Sequence, residues 1–356
     1  MPANLKNGAF CVLPFIEKHQ STDGKNYVCC YSNIPIDNAT ELKQKIYSGE
    51  RIPHCSKCYD LDDRKSISPR LRESIQWLKD SEVKQYLDSW TPETQDKIFF
   101  YDLRIDNKCN LACIMCGPRA SSLWAKELNI DIVKNPLKFD IRDCLTAKKI
   151  YLAGGEPLII DEFAELLGQV SELEVQPEIV INTNLSNISD KVASRLSKIK
   201  NLTLTVSVDA YGQVNEYHRW PLKWNKFIDN LNWIRNNVDC TIQLNSVIDA
   251  VSIINVYQLI ELEDLVDYWD LSLVINVPEL CVNNLREDQK ELIIENFKKI
   301  KQSKFYTKDP TFKSRVGMII DKIKEPGDHF MLSSFLKNLD QRRNINHINY
   351  LGIDLT

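Results

Sequence analysis

From about residue 98 the chain alternates short runs rich in β-branched and aromatic residues with longer segments whose apolar residues recur at spacings of three and four. The short runs predict strands over 98–105, 149–156, 178–184, 202–210, 240–248 and 271–277. The longer segments predict helices over 121–128, 161–173, 189–199, 225–237 and 255–266. Regular alternation of strand and helix means βαβ units with parallel strands, so the expected fold class is α/β, a partial (β/α)6 TIM-like barrel.

On either side the pattern changes. Residues 285–356 hold a strong helix candidate, "EDQKELIIENFKKIKQ", and then "MLSSFLKNLDQRR", which read as a C-terminal helical extension capping the barrel. Residues 1–97 are richer in turns and carry five of the eleven cysteines, which marks a small separate domain. The barrel then occupies 98–284.

Composition narrows the function classes. Forty-five Lys plus Arg against 49 Asp plus Glu give a net charge of -4, so no global field recruits nucleic acid or an anionic membrane. The start "MPANLKNGAF" lacks the basic and apolar regions of a signal peptide, and "LSLVINV" is strand-length, far short of the roughly 20 residues that span a bilayer. A cytoplasmic location without membrane partners is expected. In a reducing compartment, eleven cysteines are metal ligands, catalysts or buried apolar residues sooner than a disulfide framework.

The candidate chemistry starts at "KCNLACIMCG", which sets Cys109, Cys113 and Cys116 in a C-x3-C-x2-C array just after the first predicted strand. That loop lies on the C-terminal face, where parallel barrels place their active residues. Three thiolates are one short of the four that close a 4Fe-4S cluster or a structural zinc site, so one metal position stays open. A zinc knuckle is the plainer alternative. "GGEP" ends the second predicted strand: Gly154 and Gly155 allow close backbone approach to a ligand, and Glu156 offers an acceptor to an ammonium group. "SVDAYGQVNEYHRWP" ends the fourth.

These three stretches resemble the signature of radical S-adenosylmethionine (SAM) enzymes. The resemblance implies that Cys109, Cys113 and Cys116 hold a 4Fe-4S cluster whose fourth iron is chelated by SAM. Reductive cleavage of SAM then yields a 5′-deoxyadenosyl radical that abstracts hydrogen from substrate. It also implies that Ser207 and Arg219 meet the SAM carboxylate and that Asp209 lies near the ribose or the substrate. Asn182, Thr183 and Asn184 line the cavity in this reading, with turn formation and helix capping as the plainer role of such residues. Met115 stands where the family often has an aromatic residue beside the adenine, and a thioether makes a similar soft contact.

At the N-terminus, Cys11, Gly24 and Cys29 form C-x12-G-x4-C, followed by Cys55 and Cys58 as C-x2-C and then "SISPRLRES". This array resembles the twitch module, the shortened relative of the SPASM domain, although the longer domain more commonly follows the barrel. The resemblance implies a second, auxiliary 4Fe-4S cluster on these four cysteines, used for electron transfer or structure. Two cysteine pairs in a small domain also describe a four-thiolate zinc site. Cys30 beside Cys29 offers a competing ligand, and the spacing from Gly24 selects Cys29.

Of the remaining cysteines, Cys144 and Cys240 read as small buried apolar residues, whereas Cys281 in "NVPELC" is a candidate hydrogen donor to a substrate radical. The resemblance implies a flavodoxin-, ferredoxin- or reductase-type electron donor. For the substrate, the leading reading is a peptide or protein side chain modified by a maturase-like oxidoreductase. A small metabolite or nucleotide is the second, and a non-enzymatic metal-binding scaffold the third.

Overall fold

Seven strands lie side by side in chain order: β1 (Glu17–Gln20), β2 (Phe100–Leu103), β3 (Lys149–Leu152), β4 (Glu178–Thr183), β5 (Leu202–Ser207), β6 (Thr241–Ile248) and β7 (Tyr268–Leu273). The computed structural model describes residues 8–64, 67–131, 141–274 and 276–356. The pairs β1–β2, β2–β3, β5–β6 and β6–β7 are parallel. Right-handed crossovers that never reverse direction return every helix to the same face, as in a barrel wall. A doubly wound sheet instead reverses at a switch point. The α/β class with a parallel sheet is therefore as expected, with one strand more than the six the pattern predicts.

The extra strand is β1. Its sequence, EKHQ, has no apolar residue, so hydrophobic periodicity has nothing to register. The last predicted strand also shifts: β7 opens at Tyr268 rather than 271, and position 275 lies outside the described residues. The helix expected over 255–266 is a 3-10 segment, Val256–Leu265.

The chain divides into two compact units, the first comprising Met1–Asn107, Val133–Gly154 and Glu172–Val180, the second Lys108–Ile132, Gly155–Ser171 and Ile181–Thr356. In the first, an aromatic core forms around Phe15, whose ring lies 5.7 Å from Phe10 and 5.0 Å from Trp90. Four helices surround it: Ala39–Ser48, Ser56–Asp63, Pro69–Trp77 and Ser81–Asp88. Three of them start on side-chain caps, with Asn38, Ser68 and Asp80 accepting from the backbone N–H groups of Glu41, Leu71 and Val83.

In the second unit the strands are two-faced. Leu202, Leu204 and Val206 of β5 and Ile242, Leu244 and Ile248 of β6 are buried under helices. The alternate residues Thr205, Ser207, Gln243 and Asn245 are half-buried and polar. Strands covered on both faces are apolar throughout, so this alternation marks an inner surface left open for something polar. The C-terminal helices pack on the strands, the Trp269 ring of β7 lying 5.2 Å from that of Phe312 in the helix Pro310–Lys324, tilted by 50°. Among the described residues no helix is long and apolar enough to cross a membrane.

Candidate functional site

The loop carrying Cys109, Cys113 and Cys116 belongs to the second unit, and its backbone is held from several directions. Cys109 donates its N–H to Ser122 Oγ at 3.0 Å, and that hydroxyl donates back to the Cys109 carbonyl at 3.1 Å. Ser121 Oγ donates to the Leu111 carbonyl while capping the helix Ser122–Glu127 through the Trp124 N–H. Trp124 Nε1 donates to the Cys113 carbonyl at 2.7 Å, and Arg343 Nη2 to the Ala112 carbonyl at 2.7 Å. Ala112 and Ile114 donate in turn to the carbonyls of Trp220 and His218. Buried backbone groups need partners, and here they come from segments far apart in the chain.

All three thiols are free, with Cys113 buried, Cys109 half-buried and Cys116 exposed. Burial pushes Cys109 up to about 12 and raises Cys113 and Cys116, and the neighbouring cysteines add to the rise at Cys109 and Cys113. Thiolates grouped on one loop, one of them buried, need a compensating cation, which a metal centre supplies. Two donors already face the sulfurs: Asn184 Nδ2 is 3.9 Å from Cys109 Sγ, and Arg219 Nη1 is 3.9 Å from Cys113 Sγ. This donor set fits an iron-sulfur cluster reached from the Cys116 side.

Around the loop stand the other residues singled out in the sequence. Glu156 is almost fully buried at 1% exposure. Its Oε1 accepts from Thr183 Oγ1 at 2.5 Å and Leu158 N at 3.1 Å, and its Oε2 from Asn184 N at 2.6 Å. Burial pushes its carboxyl up to about 7 despite those bonds. The carboxylate thus fastens the turn after β3 to the end of β4. Gly154 has φ +76°, and a Cβ there would come within 3.1 Å of Arg104 Cα, so a side chain at this position is strained. Gly155 also has positive φ. Ser207 Oγ lies 3.3 Å from Asn182 Oδ1, at the ends of β5 and β4. Met115 is half-buried.

Asp209 has no exposed surface, so its carboxylate faces other side chains and not the open polar surface. It is ion-paired with Arg219 Nε at 2.7 Å and His218 Nδ1 at 2.9 Å, and accepts from Val247 N at 2.8 Å. Burial alone would raise its pKa, but the two cations hold it at about 2. Asp209 therefore acts on its surroundings through Arg219. The structure also brings in Asp249, which sequence reading passed over, at 2.6 Å from His218 Nε2. A signal was present: "SVDA" starts on the last residue of β5 and "VIDA" covers the end of β6, each setting an aspartate one or two residues past the strand. Cys281 is half-buried between two short 3-10 turns, and burial raises its thiol, with Lys322 and Asp249 in electrostatic reach. Cys144 is fully buried and Cys240 half-buried.

In the first unit, Cys11, Cys29, Cys55 and Cys58 are all buried free thiols, and with Leu13, Tyr31, His54, Lys57 and Arg70 they line one small cavity. Burial raises the Cys11 thiol, and Cys55, Cys29 and Cys58 add to it. Arg70 holds the framework, donating to the Phe10 carbonyl at 2.6 Å and to Asp62 at 2.5 Å. Cys30 is exposed, outside this group.

A parallel sheet wound in chain order, with three free thiols on the loop after one strand, defines a class of metal-dependent enzyme. Residues 103–248 match the family model for the Radical SAM superfamily, and the chain carries a radical SAM domain. Members of this family use a 4Fe-4S cluster and SAM. Among curated relatives, the GTP 3′,8-cyclase of Campylobacter lari is 22% identical over 112 residues, covering 31% of this chain and 34% of that protein. The probable GTP 3′,8-cyclase of Methanocaldococcus jannaschii is 26% identical over 125 residues, covering 32% and 39%. The match thus spans little more than a third of these relatives' length. Among solved structures, SuiB of Streptococcus suis is 17% identical with a TM-score of 0.41, covering 75% of this chain and 59% of that one. The enzyme anSMEcpe with AdoMet bound is 15% identical with a TM-score of 0.42, covering 56% of each.

Proposed function

We propose that this radical SAM enzyme modifies a peptide or protein side chain, with Cys109, Cys113 and Cys116 holding the SAM-binding 4Fe-4S cluster. The observation that carries the assignment is the grouping of three free thiols on a tightly held loop, Cys113 buried, Cys109 half-buried and Cys116 open to solvent. Cluster and SAM, when bound, supply reductive cleavage and hydrogen abstraction. This chain's residues do the rest. Arg219, anchored by Asp209, presents a guanidinium suited to the SAM carboxylate, with Ser207 and Asn182 beside the same pocket. Gly154 and Gly155 allow close approach to the SAM amino group, and Glu156 sets the turn that aims them. Cys11, Cys29, Cys55 and Cys58 hold an auxiliary 4Fe-4S cluster, fed by a flavodoxin- or ferredoxin-type donor. Cys281 is the candidate hydrogen donor.

A neutral, polar substrate is supported by the open face of the second unit. Its hydroxyls and amides, Thr205, Ser207, Gln243 and Asn245, suit a peptide backbone or side chain, and none of the residues of β5, β6 and β7 is lysine or arginine. Arg315, which reaches β7, is paired with Asp270. A nucleoside triphosphate would bring several negative charges to that face. The second reading, a small metabolite or nucleotide as substrate, is favoured by the cyclase relatives. Anaerobic reconstitution followed by assay of 5′-deoxyadenosine under reduction tests the enzyme reading, and failure to cleave SAM overturns it. Incubation in deuterated substrate candidates, with deuterium followed into 5′-deoxyadenosine, separates a peptide from a nucleotide.

A further inference from the structure

Apart from the cysteines, a second set of ligating side chains converges in the first unit: Glu17, His19 and Asp102. Glu17 and His19 are two residues apart on β1 and so share one face of the strand. His19 lies opposite Asp102 in the parallel β1–β2 register, which brings the third side chain to the same face. His19 Nδ1 is 3.2 Å from Asp102 Oδ2 and 4.0 Å from Glu17 Oε1, and one donor atom from each residue lies within 4.8 Å of the others.

The charges here do not balance. Asp102 is matched by Arg104, whose Nε and Nη2 lie 2.9 and 3.1 Å from its two oxygens. Glu17 has no such partner. Its side chain is 1% exposed, and neither carboxylate oxygen has a hydrogen-bond partner among the described residues. His19 Nδ1 faces these carboxylates, 3.2 Å from Asp102 Oδ2. Around Glu17 stand Asp102, Glu73 and Cys29, with Arg104 the nearby cation already committed to Asp102. A dry carboxylate with both oxygens unanswered is costly unless a cation or a proton meets it.

We infer that Glu17, His19 and Asp102 form a site for a divalent transition-metal cation, with a donor set distinct from both cysteine groups. One imidazole and two carboxylates suit Zn²⁺, Mn²⁺ or Fe²⁺, whereas thiolates would select softer ions. The three donor atoms need draw in by only about an ångström to reach metal–ligand lengths of about 2.0–2.2 Å. Because Arg104 offsets Asp102, the charge left for the cation is that of Glu17. Such an ion ties β1, the edge strand, to β2. β1 lies between Cys11 and Cys29 in the chain, so the ion also fastens the cysteine-bearing segment to the sheet.

The test uses the full, untagged chain, anaerobically reconstituted with iron and sulfide and then titrated with Mn²⁺ while the six-line signal of free Mn²⁺ is followed by electron paramagnetic resonance. One Mn²⁺ bound per chain, displaced by Zn²⁺ and showing nitrogen coupling to a single imidazole in pulsed spectra, is the expected result. Glu17→Gln and His19→Gln each weaken Mn²⁺ binding about tenfold or more, with iron per chain unchanged. No depletion of free Mn²⁺, binding without nitrogen coupling, or equal affinity in Glu17→Gln would each overturn the inference. If the variants fail to fold, the nitrogen coupling in the unmodified chain decides alone.

Discussion

His218 Nε2 sits 2.6 Å from the carboxylate of Asp249, with neither side chain exposed to solvent. On its other side Nδ1 meets Asp209, so the imidazole bridges the aspartates that end β5 and β6. Burial would lower its pKa from 6.5, but the two aspartates raise it to about 9. The protonated form is therefore favoured by folding: the stabilisation is fully present below about 6.5 and is lost as pH rises through about 9. Thermal unfolding should show stability falling across that window, by on the order of a few kcal/mol. His218→Gln should flatten this limb and lower the midpoint at pH 7 by roughly 5 °C, because two buried aspartates lose a cation. An unchanged pH profile would contradict the bridge.

Glu156 adds a separate limb at lower pH. Burial lifts its carboxyl from 4.5 to about 7, so the folded state favours the neutral acid. Its contribution is complete below about 4.5 and is lost as pH rises through about 7. Glu156→Gln should remove the slope between those values while leaving the His218 limb in place. It should also raise the KM for SAM, since an amide NH₂ facing the Asn184 N–H or the Leu158 N–H sets donor against donor and loosens the turn after β3.

Gly154→Ala tests the steric demand of that turn. A methyl 3.1 Å from Arg104 Cα, on a residue with φ +76°, should cost on the order of 1–3 kcal/mol and depress SAM cleavage. Calorimetry and 5′-deoxyadenosine formation check the two effects. Gly117→Ala, where a Cβ meets nothing within 4 Å, is the control and should leave stability nearly unchanged.

The two cysteine groups should be separable by metal analysis. Replacing Cys109, Cys113 and Cys116 together by Ala should abolish SAM cleavage and leave about four irons on the chain, held by Cys11, Cys29, Cys55 and Cys58. Zinc in place of those irons would identify the N-terminal site as a structural zinc centre.

Much of this architecture was legible because its period is unambiguous. In β5 apolar and polar residues alternate without a break and in β6 they do so from Thr241 to Asn245, and the helix Trp224–Asn237 follows its predicted span to within a residue. The cysteine loop was equally plain, since three cysteines in eight positions need no tertiary knowledge to be noticed. β1 was not legible, because its four polar residues form a strand through pairing with β2 and not through their own pattern. The helix Pro310–Lys324 went unread although Phe312, Val316, Ile319 and Ile323 sit at helical spacing. The pairing of Asp249 with His218 and the buried state of Asp209 lay beyond a linear reading, because each depends on side chains brought from neighbouring strand ends.

The hold of Arg343 on the Ala112 carbonyl bridges 231 positions of chain. On the ribosome, the cysteine loop is made long before the helix His329–Arg343 that closes over it. Until that helix emerges, the loop lacks this clasp and the Arg343 guanidinium over the Trp124 ring. The restraints on this loop are therefore complete only once the C-terminal part of the chain has been made.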